Sequence, residues 1–337
     1  MQKNIYQKIK MQYKAYLVEE KDGIYSGSVQ TIDIPQIDEK HVLIKVNYSS
    51  LNYKDALAAT GAKGVVKKYP FVPGIDVAGE VIESTSKEFA KGDKVIATGY
   101  KIGMSEFGGF GEIVHLPSDW VIHLPENLTD LKAMEYGTAG LTAAACVKKI
   151  VDEDIKNNLP VLISGVTGGV GSIAAKILNK LDFDIHGISG KIHETDLFKE
   201  IGLTKVIARD DFLSSPVKAL DKGVYSAAVD TVGGTILAKM ISIISNGGVV
   251  SCCGNVAGAM FTSSVFPFIL RGIQLCGIDS AESPIELKKE LWNLLSYDWA
   301  VDLSNQTKSV KIENLDLEIE KILSGNQAGR VIIEHGE

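Results

Sequence analysis

The chain has 337 residues, 45% of them hydrophobic, which is enough for two domains with cores of their own. A formal net charge of −7 argues against nucleic acid as the main partner, and no apolar run approaches the ~18 residues of a membrane span. Cys146, Cys252, Cys253 and Cys276 lack C-x-x-C spacing, so reduced thiols in a cytoplasmic protein are expected.

Residues 1–10 are basic but carry no apolar stretch, so they do not read as a signal peptide; a disordered extension is expected there. Residues 11–135 are β-rich. Short runs at 14–18, 42–48, 76–82, 94–98 and 111–116 are dense in β-branched residues and separated by Pro, Gly and Asp turns, the pattern of a barrel or sandwich. After the second run, Ser49-Ser50-Leu51-Asn52-Tyr53-Lys54-Asp55-Ala56-Leu57 leads from polar residues into a helix. Residues 136–279 alternate strand and helix, with strands at 160–164, 183–189, 205–208, 225–231, 248–254 and 273–278. That pattern predicts a doubly wound sheet. Residues 280–337 hold an amphipathic helix at 284–297 and a last strand at 329–334. This strand has no place in the nucleotide sheet and is assigned to the β-rich domain.

The run 160–164 is apolar without a helical period, as in a buried parallel strand, and 173–181 has helical spacing. Between them Gly165, Gly168, Gly169 and Gly171 form a variant of G-x-G-x-x-G. Glycines can serve a tight turn alone, but strand, glycine turn and helix in this order present N–H groups to a phosphate. Thr167, Gly168, Gly169, Val170 and Gly171 are read as that cradle. The next strand ends in Ser189-Gly190-Lys191, where an NAD-binding chain places an acid for the ribose 2′-hydroxyl. An acid would repel a 2′-phosphate, whereas a hydroxyl and an ammonium attract one. The expected cofactor is therefore NADPH, with Arg209 after the third strand as a second cation; the alternative is that Lys191 is an ordinary solvated lysine. Arginine occurs only at 209, 271 and 330, so each is a better site candidate than any single lysine.

A β-rich domain interrupted by a nucleotide-binding domain, with Asn52-Tyr53-Lys54-Asp55, Pro73-Gly74-Ile75-Asp76-Val77-Ala78-Gly79 and Gly137-Thr138-Ala139-Gly140-Leu141-Thr142-Ala143, resembles the medium-chain dehydrogenase/reductase superfamily. Asp230-Thr231-Val232-Gly233, Pro267-Phe268-Ile269-Leu270-Arg271 and Gly277-Ile278-Asp279-Ser280 make it similar to the quinone oxidoreductase branch, in its acryloyl-CoA reductase group. The resemblance spans residues 11–337. It implies an α/β protein with a Rossmann-type doubly wound nucleotide-binding domain (136–279) inserted in a β-rich GroES-like catalytic domain (11–135 and 280–337). It also implies a homodimer and an NADPH-dependent reductase of activated carbon–carbon double bonds. Zinc members of the superfamily carry a Gly-His-Glu motif where this chain has Gly74-Ile75-Asp76. Its six histidines are scattered without metal spacing, so a metal-free enzyme is expected.

The acceptor must then be activated by its own carbonyl, as in an enoyl thioester, an enone or a quinone. Catalytic candidates carried over by the resemblance are Tyr53, Asp55 and Asn52, with the hydroxyls of Thr138 and Thr142 nearby. Tyr53 can hydrogen-bond or cover the nicotinamide, or simply pack as a helix-start aromatic. Asp55 can act in the chemistry or only stabilise the helix start. Asn255, Ile269, Ser280 and Arg330 complete the implied cofactor contacts. Two other readings stay open: an NADPH:quinone oxidoreductase, and a non-catalytic NADPH-binding sensor or structural protein.

Overall fold

Asp22 and Gly23, both at positive φ, turn the chain between β1 (Gln12–Lys21) and β2 (Ile24–Asp33), which pair antiparallel over their full lengths. A two-residue turn with two left-handed positions matches the twist of a hairpin, and Asp-Gly tolerates it. The computed structural model describes residues 11–155 and 158–336, so the extension expected over 1–10 lies outside the described residues. β3 (His41–Ser50) runs into α1 (Tyr53–Ala59), and β4 (Asp76–Ser84), β5 (Lys94–Thr98), β6 (Ile113–Pro117) and β7 (Val121–His123) follow. Their inward side chains, among them Val42, Ile44, Val46, Val77, Val81, Val95 and Leu116, form one apolar cluster. Alternation along half-buried strands produces that cluster.

α2 (Asp130–Asp152) starts at Thr129, whose side chain accepts the Lys132 N–H, and kinks at Gly137 (φ 51, ψ −153). Only glycine suits this position: a Cβ there would stand 2.5 Å from Asp76 Oδ2 and from Ser50 Oγ. β8 (Val161–Ser164), α3 (Gly169–Lys180), β9 (Ile185–Ser189), α4 (Thr195–Glu200), β10 (Lys205–Ala208), α5 (Arg209–Leu213), β11 (Tyr225–Asp230), α6 (Gly234–Ser242), β12 (Ile244–Cys252), α7 (Phe266–Arg271) and β13 (Gln274–Gly277) come next. Their six strands lie in the order β10-β9-β8-β11-β12-β13, all parallel. This is the Rossmann order, and its direction reverses between β8 and β11, where such sheets open a ligand crevice.

The chain closes with α8 (Ile285–Ser296), β14 (Thr307–Val310), α9 (Leu315–Leu323) and β15 (Arg330–Glu334). β15 pairs antiparallel with β3, within a seven-stranded sheet ordered β14-β15-β3-β4-β5-β7 with β6 also on β3. Leu291, Trp292 and Leu295 of α8 share one core with α2, α3 and the strands β8 and β11. Residues from both sheets, Ile96 and Ile332 from one and Ile163 and Val229 from the other, belong to that core.

Candidate active site

The glycine turn leaves β8 at Gly165, and a Cβ on Gly171 would meet the Gly165 carbonyl oxygen at 2.5 Å. The turn can close only because residue 171 has no side chain. Gly168 is the N-cap of α3, so Gly169, Val170 and Gly171 form the helix's first turn, with Thr167 buried before it. Ser164 Oγ donates to Asp230 Oδ1 at 2.7 Å, and Thr231 Oγ1 donates to the Ser164 carbonyl at 2.9 Å. These bonds tie the ends of β8 and β11 beneath the turn.

At the end of β9, Ser189 Oγ accepts the Lys191 N–H at 2.9 Å. The Arg209 guanidinium lies over Gly190: a Cβ there would be 3.1 Å from Arg209 Nη1. Lys191 Nζ donates to the Gln327 carbonyl at 2.6 Å, and burial lowers its pKa. Two cations therefore flank Gly190, and one of them also reaches the segment preceding β15.

The second cluster is built on the seven-stranded sheet. Asp76, fully buried at the start of β4, accepts Ser50 Oγ at 2.5 Å, Asn52 Nδ2 at 2.7 Å and Thr138 Oγ1 at 2.5 Å. The Thr138 N–H, aimed by the Gly137 kink, adds bonds of 2.9 and 3.0 Å. Arg330, 4% exposed, donates to Ser50 Oγ at 2.7 Å, to Asn52 Oδ1 at 3.2 Å and to the Glu135 carbonyl at 3.2 Å, with Nη2 3.9 Å from Asp76 Oδ2. Burial lowers the arginine's pKa, while Asp76 and Asp55 work in the opposite direction. A buried carboxylate needs such partners, since an uncompensated charge is costly away from water. On its other side Arg330 packs against the glycine turn: a Cβ on Gly169 would sit 3.2 Å from Arg330 Cδ.

Asp55 is also fully buried. Its Oδ2 accepts the Asn52 N–H at 2.8 Å and its Oδ1 the Ile75 N–H at 2.8 Å. Burial, then the Asp76 carboxylate, push its pKa up to about 7, against the N–H bonds that hold it down. With no exposed surface and both oxygens engaged, Asp55 fits the helix-start reading better than the chemical one. Tyr53 is 38% exposed in the first turn of α1, which disfavours the reading as a packed aromatic. Thr142 Oγ1 donates to the Thr138 carbonyl at 2.6 Å and lies 2.6 Å from Ser280 Oγ, so these hydroxyls form one chain with the Asp76 cluster.

The remaining residues sit apart. Asn255 is exposed, its Cα near the Gly233 turn, and Ile269 is 69% exposed on α7. Arg271 donates to the carbonyls of Ser242, Ile244 and Asp221, and so fastens the far end of the nucleotide sheet. The hub at Asp76 lay in a quoted motif, yet its role was not read from the sequence. Its partner Arg330 comes from the other end of the chain. Lys288, 1% exposed, was also missed: Nζ donates to the carbonyls of Thr98 at 2.6 Å and Ala281 at 2.9 Å, 3.4 Å from the Tyr100 ring centre.

Residues 38–126 match the family described as "Alcohol dehydrogenase GroES-like domain", and residues 169–296 the one described as "Zinc-binding dehydrogenase". YhfP of Bacillus subtilis, whose name assigns it provisionally to the quinone oxidoreductases, is 39% identical, covering 96% of this chain and 98% of its own. The acrylyl-CoA reductase AcuI of Ruegeria pomeroyi is 34% identical over 94% of this chain and 96% of its own. Among solved structures, the Salmonella enterica yhdH oxidoreductase in complex with NADP superposes with a TM-score of 0.91 at 33% identity, over 97% of this chain and all of that one. The yhfP structure with NAD bound gives 0.93 at 39% identity, over 96% of this chain and all of that one. A GroES-like domain joined to a Rossmann sheet defines the class, an oxidoreductase of the medium-chain type. The chain belongs to the medium-chain dehydrogenase/reductase superfamily, in the group that holds YhfP, YhdH and AcuI.

Proposed function

We propose that this chain is an NADPH-dependent, zinc-independent reductase that saturates an activated carbon–carbon double bond, with an acryloyl-CoA-type enoyl thioester as acceptor. The observation that carries it is the donor set around Asp76. The Arg330 guanidinium, the Ser50 and Thr138 hydroxyls and the Asn52 amide face that carboxylate, and Ile75 precedes it, a set without the thiolate and imidazole ligands zinc prefers. The acceptor's own carbonyl must then draw charge away from the reacting bond. The name of AcuI supports the thioester, and the cations beside Gly190 support the 2′-phosphate.

When bound, NADPH would supply a hydride from C4 of its nicotinamide to the acceptor's β-carbon, with a proton from a protein group or water completing the α-carbon. The protein's part is positioning and charge. Gly169, Val170 and Gly171 in the first turn of α3 would offer N–H groups to the pyrophosphate, Ser189, Lys191 and Arg209 would hold the 2′-phosphate, and Arg330 packs the glycine turn against the Asp76 cluster. Tyr53, exposed in the first turn of α1, is the donor we assign to the negative charge that develops on the acceptor's oxygen. Asn52 is oriented from both sides by Asp76 and Arg330. The same reading includes a homodimer.

Quinone reduction is the second reading, favoured by the name of YhfP. NADPH absorbance followed with acryloyl-CoA, crotonyl-CoA and a panel of quinones, each with and without a chelator, tests both. We expect acryloyl-CoA to turn over fastest and the chelator to change nothing. Faster quinone turnover would favour the second reading, and no turnover with any acceptor a non-catalytic NADPH-binding protein. Activity lost to chelator and restored by zinc would sink the metal-free assignment.

A further inference from the structure

We propose that Asp38, His41 and His115 form a binding site for one borderline divalent transition-metal ion, of the zinc type, on the outer surface of the seven-stranded sheet. None of the three belongs to the Asp76 cluster or the glycine turn, and the proposal does not depend on the acceptor. His41 opens β3 and His115 lies in the middle of β6; the strands pair antiparallel, with His115 opposite Leu43 and His41 opposite Pro117. A paired sheet fixes both backbones, and the rings stack with centroids 4.6 Å apart and planes 21° from parallel. Asp38 sits in the turn leading into β3. Thr85 shapes that turn: its Oγ1 donates to the Asp38 carbonyl at 2.6 Å and accepts the His41 N–H at 3.1 Å. One ligand atom from each of the three residues lies within 4.8 Å of the others.

The hydrogen bonds around the two rings suit a ligand set. His41 Nδ1 donates to the Glu39 carbonyl at 2.8 Å, which makes Nε2 the nitrogen that would face an ion. Metal-bound histidines commonly hold their second nitrogen in this way. The His115 side chain is 14% exposed. Its Nε2 accepts the Asp38 N–H at 3.2 Å and stands 3.8 Å from Asp38 Oδ2, so an ion would replace one long hydrogen bond. The Asp38 side chain is 74% exposed and able to close on the ion. Two imidazoles and a carboxylate, with water in the open position, match a zinc-type ion; calcium and magnesium take oxygen ligands instead.

The test is calorimetric titration of chelator-treated full-length protein with zinc chloride, with the visible spectrum of added cobalt(II) reporting coordination. The expected result is one-to-one saturation in the wild type, at least about tenfold weaker binding in His41→Ala and in His115→Ala, and a smaller loss in Asp38→Asn. His115→Gln, which keeps a polar side chain of similar reach, serves where the alanine variant melts early. No saturable binding would overturn the proposal. So would unchanged binding in the His41→Ala/His115→Ala double variant, which would put the ion elsewhere, for instance on the thiols of Cys252 or Cys253. NADPH turnover, measured in the same samples, should be indifferent to the ion.

Discussion

Two residues of the proposed site can be tested most directly. Lys191 faces the 2′-phosphate in our reading, and a hydrogen bond to a charged group contributes about 1.5–3 kcal/mol, where 1.4 kcal/mol is a factor of ten. Its ammonium also bonds the Gln327 carbonyl, so Lys191→Ala loses a tether that both cofactors share. The ratio is therefore the readout: NADPH should be preferred over NADH by about tenfold or more in the wild type, and that preference should collapse in the variant. Equal loss for both cofactors would mean that the tether alone was lost. For Tyr53, removal of the hydroxyl in Tyr53→Phe leaves the ring. If the hydroxyl meets the developing negative charge, kcat/KM should fall about tenfold or more, since a lost oxyanion donor costs roughly 2.7–4 kcal/mol. A ground-state cofactor contact would appear in KM instead, and wild-type kinetics in every parameter would remove Tyr53 from the site. The thermal midpoint should hold in each case, because a side chain 38% exposed loses only a polar tip.

Among the elements, those with strong period or composition were legible in the sequence. The strands at 94–98 and 205–208 have the expected bounds, and the glycine turn opens α3 as its pattern requires. β2 was not, although Asp22-Gly23 is the short-range signal of its hairpin: its residues alternate without a buried face, so no apolar run marks the strand. β14, four residues with one buried, is held by its parallel pairing to β15 and has no local signature. Lys288 shows the same limit, because nothing local marks a lysine of an amphipathic helix as buried. Its ammonium joins the end of β5 to the segment before α8. Burial lowers its pKa from 10.5 to about 7, with Asp76, Glu282 and Asp279 in partial opposition. Between those values the unfolded chain binds a proton that the native protein lacks, so this group makes stability rise with pH, by at most about 1.4 kcal/mol per unit. Urea unfolding at pH 7 and pH 9.5 should show a smaller rise in Lys288→Met than in the wild type. An identical pH dependence in both would mean that the ammonium stays charged in the native state.

Across the whole molecule, the nucleotide sheet ends at β13, and the segment before that strand presents a run of apolar side chains. Val256, Met260, Val265, Ile269 and Leu270 are 66%, 87%, 64%, 69% and 61% exposed. An edge strand beside such a surface is an aggregation hazard unless another chain covers it. A second copy, placed edge to edge, would cover both at once. Sedimentation equilibrium should then return twice the 36.3 kDa chain mass. Ile269 decides what the surface is for, because the family resemblance also implies it as a cofactor contact. As an interface residue, Ile269→Glu should shift the protein toward the monomer by burying an unpaired carboxylate, with NADPH affinity reduced only as far as dissociation loosens the sheet edge. As a cofactor contact, the same change should weaken NADPH and leave the mass at two chains. A wild-type protein that sediments as a single chain at micromolar concentration would remove the homodimer and leave the exposed run without a partner of its own kind.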